Sequence, residues 1–117
     1  MRKSRGKVIL TSTGAARHSY SGWGAYAASK AALKSLGDTL AVEEPCITTM
    51  SIEPGVVDTD MQKDIREKYA SIMDKKDQER FAGLHAEGKL VRPEGPGHLM
   101  ASLILNAPEE LNGKTFR

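Results

Sequence analysis

The sequence predicts an α/β fold in which a parallel sheet is covered by helices. Three observations carry this. "KVILTST", Lys7 to Thr13, holds an unbroken apolar run, Val8-Ile9-Leu10, that ends in hydroxyl residues, the pattern of a strand buried on both faces. "CITTMSIEPG", Cys46 to Gly55, is a second apolar and β-branched stretch, closed by Pro-Gly. Between them, Gly24 to Glu44 repeats Leu33, Leu36 and Leu40 at helical steps. Strand, helix, strand in this order is the unit of a parallel crossover.

The elements follow in order. The first strand is expected over 7–13, and Arg17 to Gly22 is polar and turn-prone. The helix over 24–44 is stopped by Pro45, because proline has no N–H to continue the ladder. The second strand is expected over 47–53. From Asp58 the composition turns charged, and Met61, Ile65, Tyr69 and Met73 at four-residue steps predict an amphipathic helix, followed by a shorter one around Phe81 and Leu84. This stretch, 58–90, is expected to be a peripheral excursion rather than core. A last helix is expected over 93–106, with Leu99, Leu103 and Ile104 apolar, and "KTFR", 114–117, is expected to open a further strand. All 117 residues fall in one domain.

Bulk properties exclude several function classes. Seventeen Lys and Arg against fifteen Asp and Glu leave a net charge of +2, too weak a field to attract nucleic acid or an anionic membrane. The basic opening, Arg2, Lys3, Arg5 and Lys7, has no aromatic interleaving and is read as a solvated chain end. One cysteine, Cys46, rules out an internal disulfide, and His18, His85 and His98 lack the spacing of a metal site. No apolar run reaches the roughly 20 residues that span a bilayer, so the expectation is a soluble, cytoplasmic protein without a membrane partner.

The chemistry is expected where three segments converge. Tyr26 and Lys30 in "GWGAYAASKAAL" stand four residues apart, so both side chains leave one helix face. A phenol beside an ammonium gives up its proton more readily than a free phenol, whose pKa is about 10. Tyr26 so placed can protonate a carbonyl oxygen as a hydride reaches its carbon. An ordinary amphipathic pair is the bland alternative. Against it stand Ala27, Ala28, Ser29, Ala31 and Ala32, small residues that let the helix lie close to a sheet or ligand. Ser12 and Thr13 end the first strand, and "PGVVDT", Pro54 to Thr59, ends the second. Ligands of open parallel sheets bind outside the carboxyl ends of the strands.

These stretches, "GKVILTSTGAA", "YAASKAAL", "IEPGVVDTDM" and "LNGKTF", together resemble the short-chain dehydrogenase/reductase family over the whole chain. The "GW-A-Y" approach to the tyrosine and the "DTDMQ" run resemble its fungal benzil-reductase-like and sepiapterin-reductase-like members. The resemblance implies a Rossmann-like, doubly wound sheet in three α/β/α layers, a small-molecule carbonyl substrate (ketone or dicarbonyl), and NADP(H) as cofactor, with NAD(H) not excluded. It makes Tyr26 the general acid and Lys30 the partner that lowers its pKa and binds the nicotinamide ribose. The family's catalytic hydroxyl lies thirteen positions before the tyrosine, at Thr13, where serine is usual. Thr13 is favoured for that role, with Ser12 as the alternative if the loop shifts. Pro54, Gly55, Val57 and Thr59 match the segment that cradles the nicotinamide carboxamide, and Met61 onward matches the substrate-covering loop. A homo-oligomer is implied for the intact parent.

One part of the family pattern is missing. The diphosphate of the cofactor sits on a glycine-rich turn after a strand, and the G-x-G triplets here, Gly22-Trp23-Gly24 and Gly95-Pro96-Gly97, do not follow a strand in that way. The chain is therefore expected to be the carboxyl-terminal half of the fold, without the amino-terminal dinucleotide half. An exposed sheet edge should make it associate. The alternative function is that of a non-catalytic fragment serving as an interaction or oligomerisation module.

Overall fold

The structure, a computed structural model, describes residues 3–117. Met1 and Arg2, the start of the basic opening, lie outside the described residues. Three strands, β1 (Lys7–Thr11), β2 (Thr48–Ile52) and β3 (Thr115–Phe116), form one sheet in the order β1-β2-β3, and both pairings are parallel. The first pairing runs from Lys7 opposite Thr48 to Thr11 opposite Ile52. β2 is central, and all five of its residues are buried, so hydroxyl-bearing Thr48, Thr49 and Ser51 share the core with Met50 and Ile52.

The strand expected over 7–13 ends at Thr11. The ladder continues one step further, with Ser12 N–H donating to Ile52 O at 2.8 Å. Thr13 instead caps a 3₁₀ turn, Gly14–Ala16. Helix α1 (Gly24–Glu43) ends as Pro45 requires, and β2 lies within the expected 47–53. α1 approaches the sheet closely at Gly37, where a Cβ would collide with Leu10 Cδ1, and not through the small residues after Tyr26: Ala28, Ser29, Ala31 and Ala32 are exposed and Ala27 is half-buried. Asn112 fastens this arrangement, accepting from Thr49 N–H at 2.8 Å and donating to Ala41 O at 2.8 Å.

The segment over 58–90 departs from expectation. It folds as α2 (Asp60–Glu67), a 3₁₀ turn (Ala70–Ile72) and α3 (Lys75–Ala86), so the second helix is the longer. Tyr69 lies beyond α2, and its four-residue step from Ile65 does not continue the buried face: Tyr69 is 51% exposed and Met61 47%. Nor is the segment merely peripheral. Ile65, Met73 and Phe81 form a buried apolar cluster, with Trp23 and Val56 packed against it. The charges dominate the composition, but α2 buries Gln62 and Ile65 and α3 buries Phe81.

Helix α4 (Glu94–Asn106) follows, with Pro93 as its N-cap, and packs against β1. A single bridge, Val57 to Val91, ties the chain after β2 to the approach to α4. Among the described residues β1 pairs only with β2, so its other edge is open.

Candidate active site

The carboxyl ends of β1 and β2, the start of α1 and the inner faces of α2, α3 and α4 enclose a cavity of about 780 Å³. Ser12, Thr13, Tyr26, Lys30, Pro54, Gly55, Val57 and Thr59 all line it. Three segments remote in sequence thus reach one space because a parallel crossover returns each strand end to the same edge of the sheet.

The hydroxyl loop is shaped by capping. Thr13 is extended, with φ −160° and ψ 155°, and its Oγ1 accepts from Ala15 N–H at 3.3 Å. Accepting there leaves the hydroxyl proton free to donate elsewhere. Ser12 differs. It is only 4% exposed, and its Oγ is buried without a hydrogen-bond partner among the described residues. Of the two hydroxyl residues lining the cavity, Thr13 is half-buried and Ser12 buried.

On α1, the Lys30 ammonium lies 6.0 Å from the centroid of the Tyr26 ring and donates to Thr11 O at 2.9 Å. The last residue of β1 therefore tethers the lysine next to the phenol. Trp23 meets Tyr26 edge-on, at 5.4 Å and 80°, and stacks on Phe81 of α3 at 5.7 Å and 9°. Tyr20 joins this group at 5.9 Å from Trp23. Arg80 lies over Tyr20 and Phe81. A smaller apolar recess of about 160 Å³ adjoins the cavity, sharing Trp23, Tyr26 and Met61 with it and closed by Ile65, Ile72 and Met73.

The electrostatics centre on Glu53, which precedes Pro54 and is buried. Arg17 grips its carboxylate with two hydrogen bonds, Nε at 3.2 Å and Nη2 at 2.6 Å, and Arg117 stands 3.5 Å away. Hydrogen bonding from Arg17 holds the Glu53 carboxyl below the usual carboxylate range, against the opposing effect of burial. The Arg17 guanidinium is correspondingly raised, chiefly by the same hydrogen bonds. This pair joins the loop after Thr13 to the segment that begins at Pro54.

Sequence reasoning passed over Glu53 and Arg17, although an acid ending a buried strand needs a cationic partner. It also passed over Phe81 as a cavity wall and over Gln62. The signal for Gln62 was present in "TDMQ", Thr59 to Gln62, which has the spacing of a helix capping box. His18 is exposed and does not line the cavity. Among the described residues no group of His, Cys, Asp or Glu could hold a metal ion, and no helix is long and apolar enough to cross a membrane.

The profile of the short chain dehydrogenase family matches residues 1–70, and the chain belongs to that family. Among its relatives is a benzil reductase ((S)-benzoin forming) of Saccharomyces cerevisiae, 42% identical over 116 residues, covering 96% of this chain and 44% of the relative. A sepiapterin reductase of Rattus norvegicus is 42% identical over 84 residues, covering 72% of this chain and 31% of the relative. In three dimensions the chain matches the crystal structure of the KRED1-Pglu enzyme with a TM-score of 0.94 and 48% identity, covering 98% of this chain and 48% of that one. The chain thus spans less than half the length of these relatives, and its α/β fold agrees with the solved enzyme over nearly all of its own length.

Proposed function

We propose that this chain carries the catalytic face of a cytoplasmic, NADP(H)-dependent reductase of ketones and dicarbonyls. The observation that supports it most is the convergence of Thr13, Tyr26 and Lys30 on the cavity that Pro54 to Thr59 also line. In this reading a substrate carbonyl oxygen accepts hydrogen bonds from the hydroxyls of Tyr26 and Thr13. Tyr26 transfers its proton to that oxygen. Lys30, held in place by Thr11 O, stabilises the negative charge left on the phenol oxygen.

The residues present fit the nicotinamide end of the cofactor. Gly55 has φ +78° and no Cβ to obstruct an approaching ring, and the Thr59 hydroxyl is held only by a long bond of 3.4 Å to Val57 O. Gly55, Val57 and Thr59 would hold the carboxamide, and Lys30 the ribose. When bound, the dihydronicotinamide supplies the hydride. Among the described residues no glycine-rich turn after a strand is available for the diphosphate, so that end is assigned to polypeptide outside this segment. The preference for the phosphorylated dinucleotide follows the family resemblance alone.

The aromatic wall of Tyr20, Trp23 and Phe81, with the apolar recess beside it, suits a carbonyl carrying aryl arms. Benzil, the diaryl diketone in the name of the yeast relative, is such a compound. Exposed Leu36, Val42, Leu99 and Leu105 support covering of α1 and α4 by further polypeptide, including a homo-oligomer. The same exposed residues, with the open edge of β1, favour a second reading, in which the chain acts only as an interaction module. The deciding experiment measures NADPH oxidation by the protein carrying this chain against benzil, aryl monoketones and aliphatic diketones. Turnover highest with benzil is expected. No turnover of any carbonyl by protein shown to bind NADPH would sink the reductase reading and favour the module.

A further inference from the structure

Thr13 lies between two fastenings to the end of β2. Ahead of it, the Ser12 N–H donates to Ile52 O at 2.8 Å. Behind it, the 3₁₀ turn Gly14–Ala16 carries the chain to Arg17, whose guanidinium reaches the carboxylate of Glu53. Ile52 and Glu53 are neighbours in sequence, so the two fastenings close a ring with Thr13 inside it. The turn that joins them has little slack. Ala16 N–H donates to Thr13 O, and the N–H groups of Arg17 and His18 to Gly14 O, each at 3.0 Å. The Thr13 hydroxyl belongs to the same turn through its bond from Ala15 N–H.

The contact between Arg17 and Glu53 is built for direction. Nε bonds one carboxylate oxygen at 3.2 Å and Nη2 the other at 2.6 Å, and a two-pronged grip of this kind fixes orientation as well as distance. The Glu53 side chain is only 7% exposed. Net stability is a weak reason for such a pair, because taking a carboxylate out of water offsets much of its attraction to a cation. Placement of the loop is the stronger one. Arg17 does not itself line the cavity, whereas Thr13 and Glu53 do, so its effect on a bound substrate passes through the residues it holds.

We propose that Arg17 is a positioning residue: its grip on Glu53 holds the Thr13 hydroxyl where the substrate carbonyl oxygen meets it. This rests on the reductase reading above. Without the grip, the turn keeps the Ser12 bond but loses the second point that fixes its angle to the strand end. A reacting group displaced by about 1 Å costs up to about 10²-fold in rate, while the carbonyl compound still enters the cavity.

The test makes Arg17→Ala and Arg17→Lys in the protein carrying this chain, each with Thr13 intact and with Thr13→Ala. Arg117, 3.5 Å from Glu53, remains to balance the carboxylate when Arg17 is lost. Turnover of benzil is expressed per NADPH-binding site titrated by calorimetry, so that misfolded molecules do not count. Arg17→Ala is expected to lower kcat by about 10- to 100-fold with KM for benzil within about twofold of wild type. Arg17→Lys, which keeps the charge and loses the fork, recovers only part of this. In the Thr13→Ala background, Arg17→Ala is expected to cost less than about twofold more, because the hydroxyl through which it acts is already gone. An unchanged kcat for Arg17→Ala, or the same factor with and without the Thr13 hydroxyl, overturns the assignment. If the wild type reduces no carbonyl, or Thr13→Ala keeps full turnover, the reading of the site fails on its own account, and hydrogen exchange then decides the brace. Faster exchange over 14–18 in Arg17→Ala, with β1 and β2 unchanged, upholds it; unchanged exchange over 14–18 overturns it.

Discussion

Replacing Phe81 by alanine tests whether the charged excursion after β2 is truly packed against the start of α1. Phe81 is 6% exposed, clusters with Ile65 and Met73, and stacks on Trp23 at 5.7 Å. Truncating a buried phenylalanine removes its transfer free energy and leaves a cavity, together about 3–5 kcal/mol. Loss of the aromatic stack accounts for about 0.5–1.5 kcal/mol of such effects. Because the cavity already beside this ring gives the site room to relax, the lower part of the range, about 3 kcal/mol, is expected. Phe81→Leu, which retains most of the volume, should cost less than about 1.5 kcal/mol. Urea unfolding followed by fluorescence reads this directly, since Trp23 is the one tryptophan of the chain and lies on the ring that is removed. A loss below about 1 kcal/mol for the alanine variant would refute the idea that α2 and α3 form core with α1.

Three further outcomes follow from the site. Glu53 lies below the ordinary carboxylate range because Arg17 hydrogen-bonds its charged form, so its contribution is present above the unfolded-state pKa of about 4.3 and is lost as pH falls through the lower folded-state value. Urea midpoints of wild type and Glu53→Gln should therefore differ near neutrality and converge as pH falls below about 4; a constant gap would contradict the role of that charge. Gly55→Ala forces a side chain into a left-handed backbone with φ +78° and should cost about 1–2 kcal/mol in the same unfolding assay, with a raised KM for the dinucleotide. Thr13→Ala should lower kcat for carbonyl reduction by about 10²–10³, whereas Ser12→Ala, whose oxygen is buried, should retain most of it. The reverse order would give the catalytic hydroxyl to Ser12.

What the sequence revealed and what it concealed have physical causes. Thr48 to Ile52 is legible because a strand buried on both faces favours apolar and β-branched residues, with Ser51 the exception, whereas the equally apolar Val8 to Leu10 is only half-buried among the described residues. Pro45 and Gly55 fix where their elements end, since one lacks an N–H and the other adopts a backbone that side chains resist. Tyr26, Lys30, Thr13 and Pro54 were legible as a set because a parallel crossover gathers strand ends on one edge. Thr13 was harder to place, because a threonine suits both a strand end and a turn cap, and here it caps the turn at Gly14. The packing of the excursion after β2 is not legible, because its composition is dominated by solvent-facing charges. Ile65, Met73 and Phe81 lie on three separate pieces of chain, so no single periodicity joins them. The Arg17–Glu53 pair spans 36 positions, and only the folded arrangement of two loops shows that an acid before Pro54 has a partner.

The most direct test of the catalytic assignment is the substitution Tyr26→Phe, measured as kcat for carbonyl reduction in parallel with dinucleotide affinity. Removing one hydroxyl while keeping the ring, its edge contact with Trp23 and the tether of Lys30 to Thr11 O should lower kcat by about 10²–10⁴, the usual contribution of a placed general acid, and leave cofactor binding nearly intact. Turnover within about threefold of wild type would mean that the proton comes from another group and that the meeting of Thr13, Tyr26 and Lys30 on one cavity is not the seat of the chemistry.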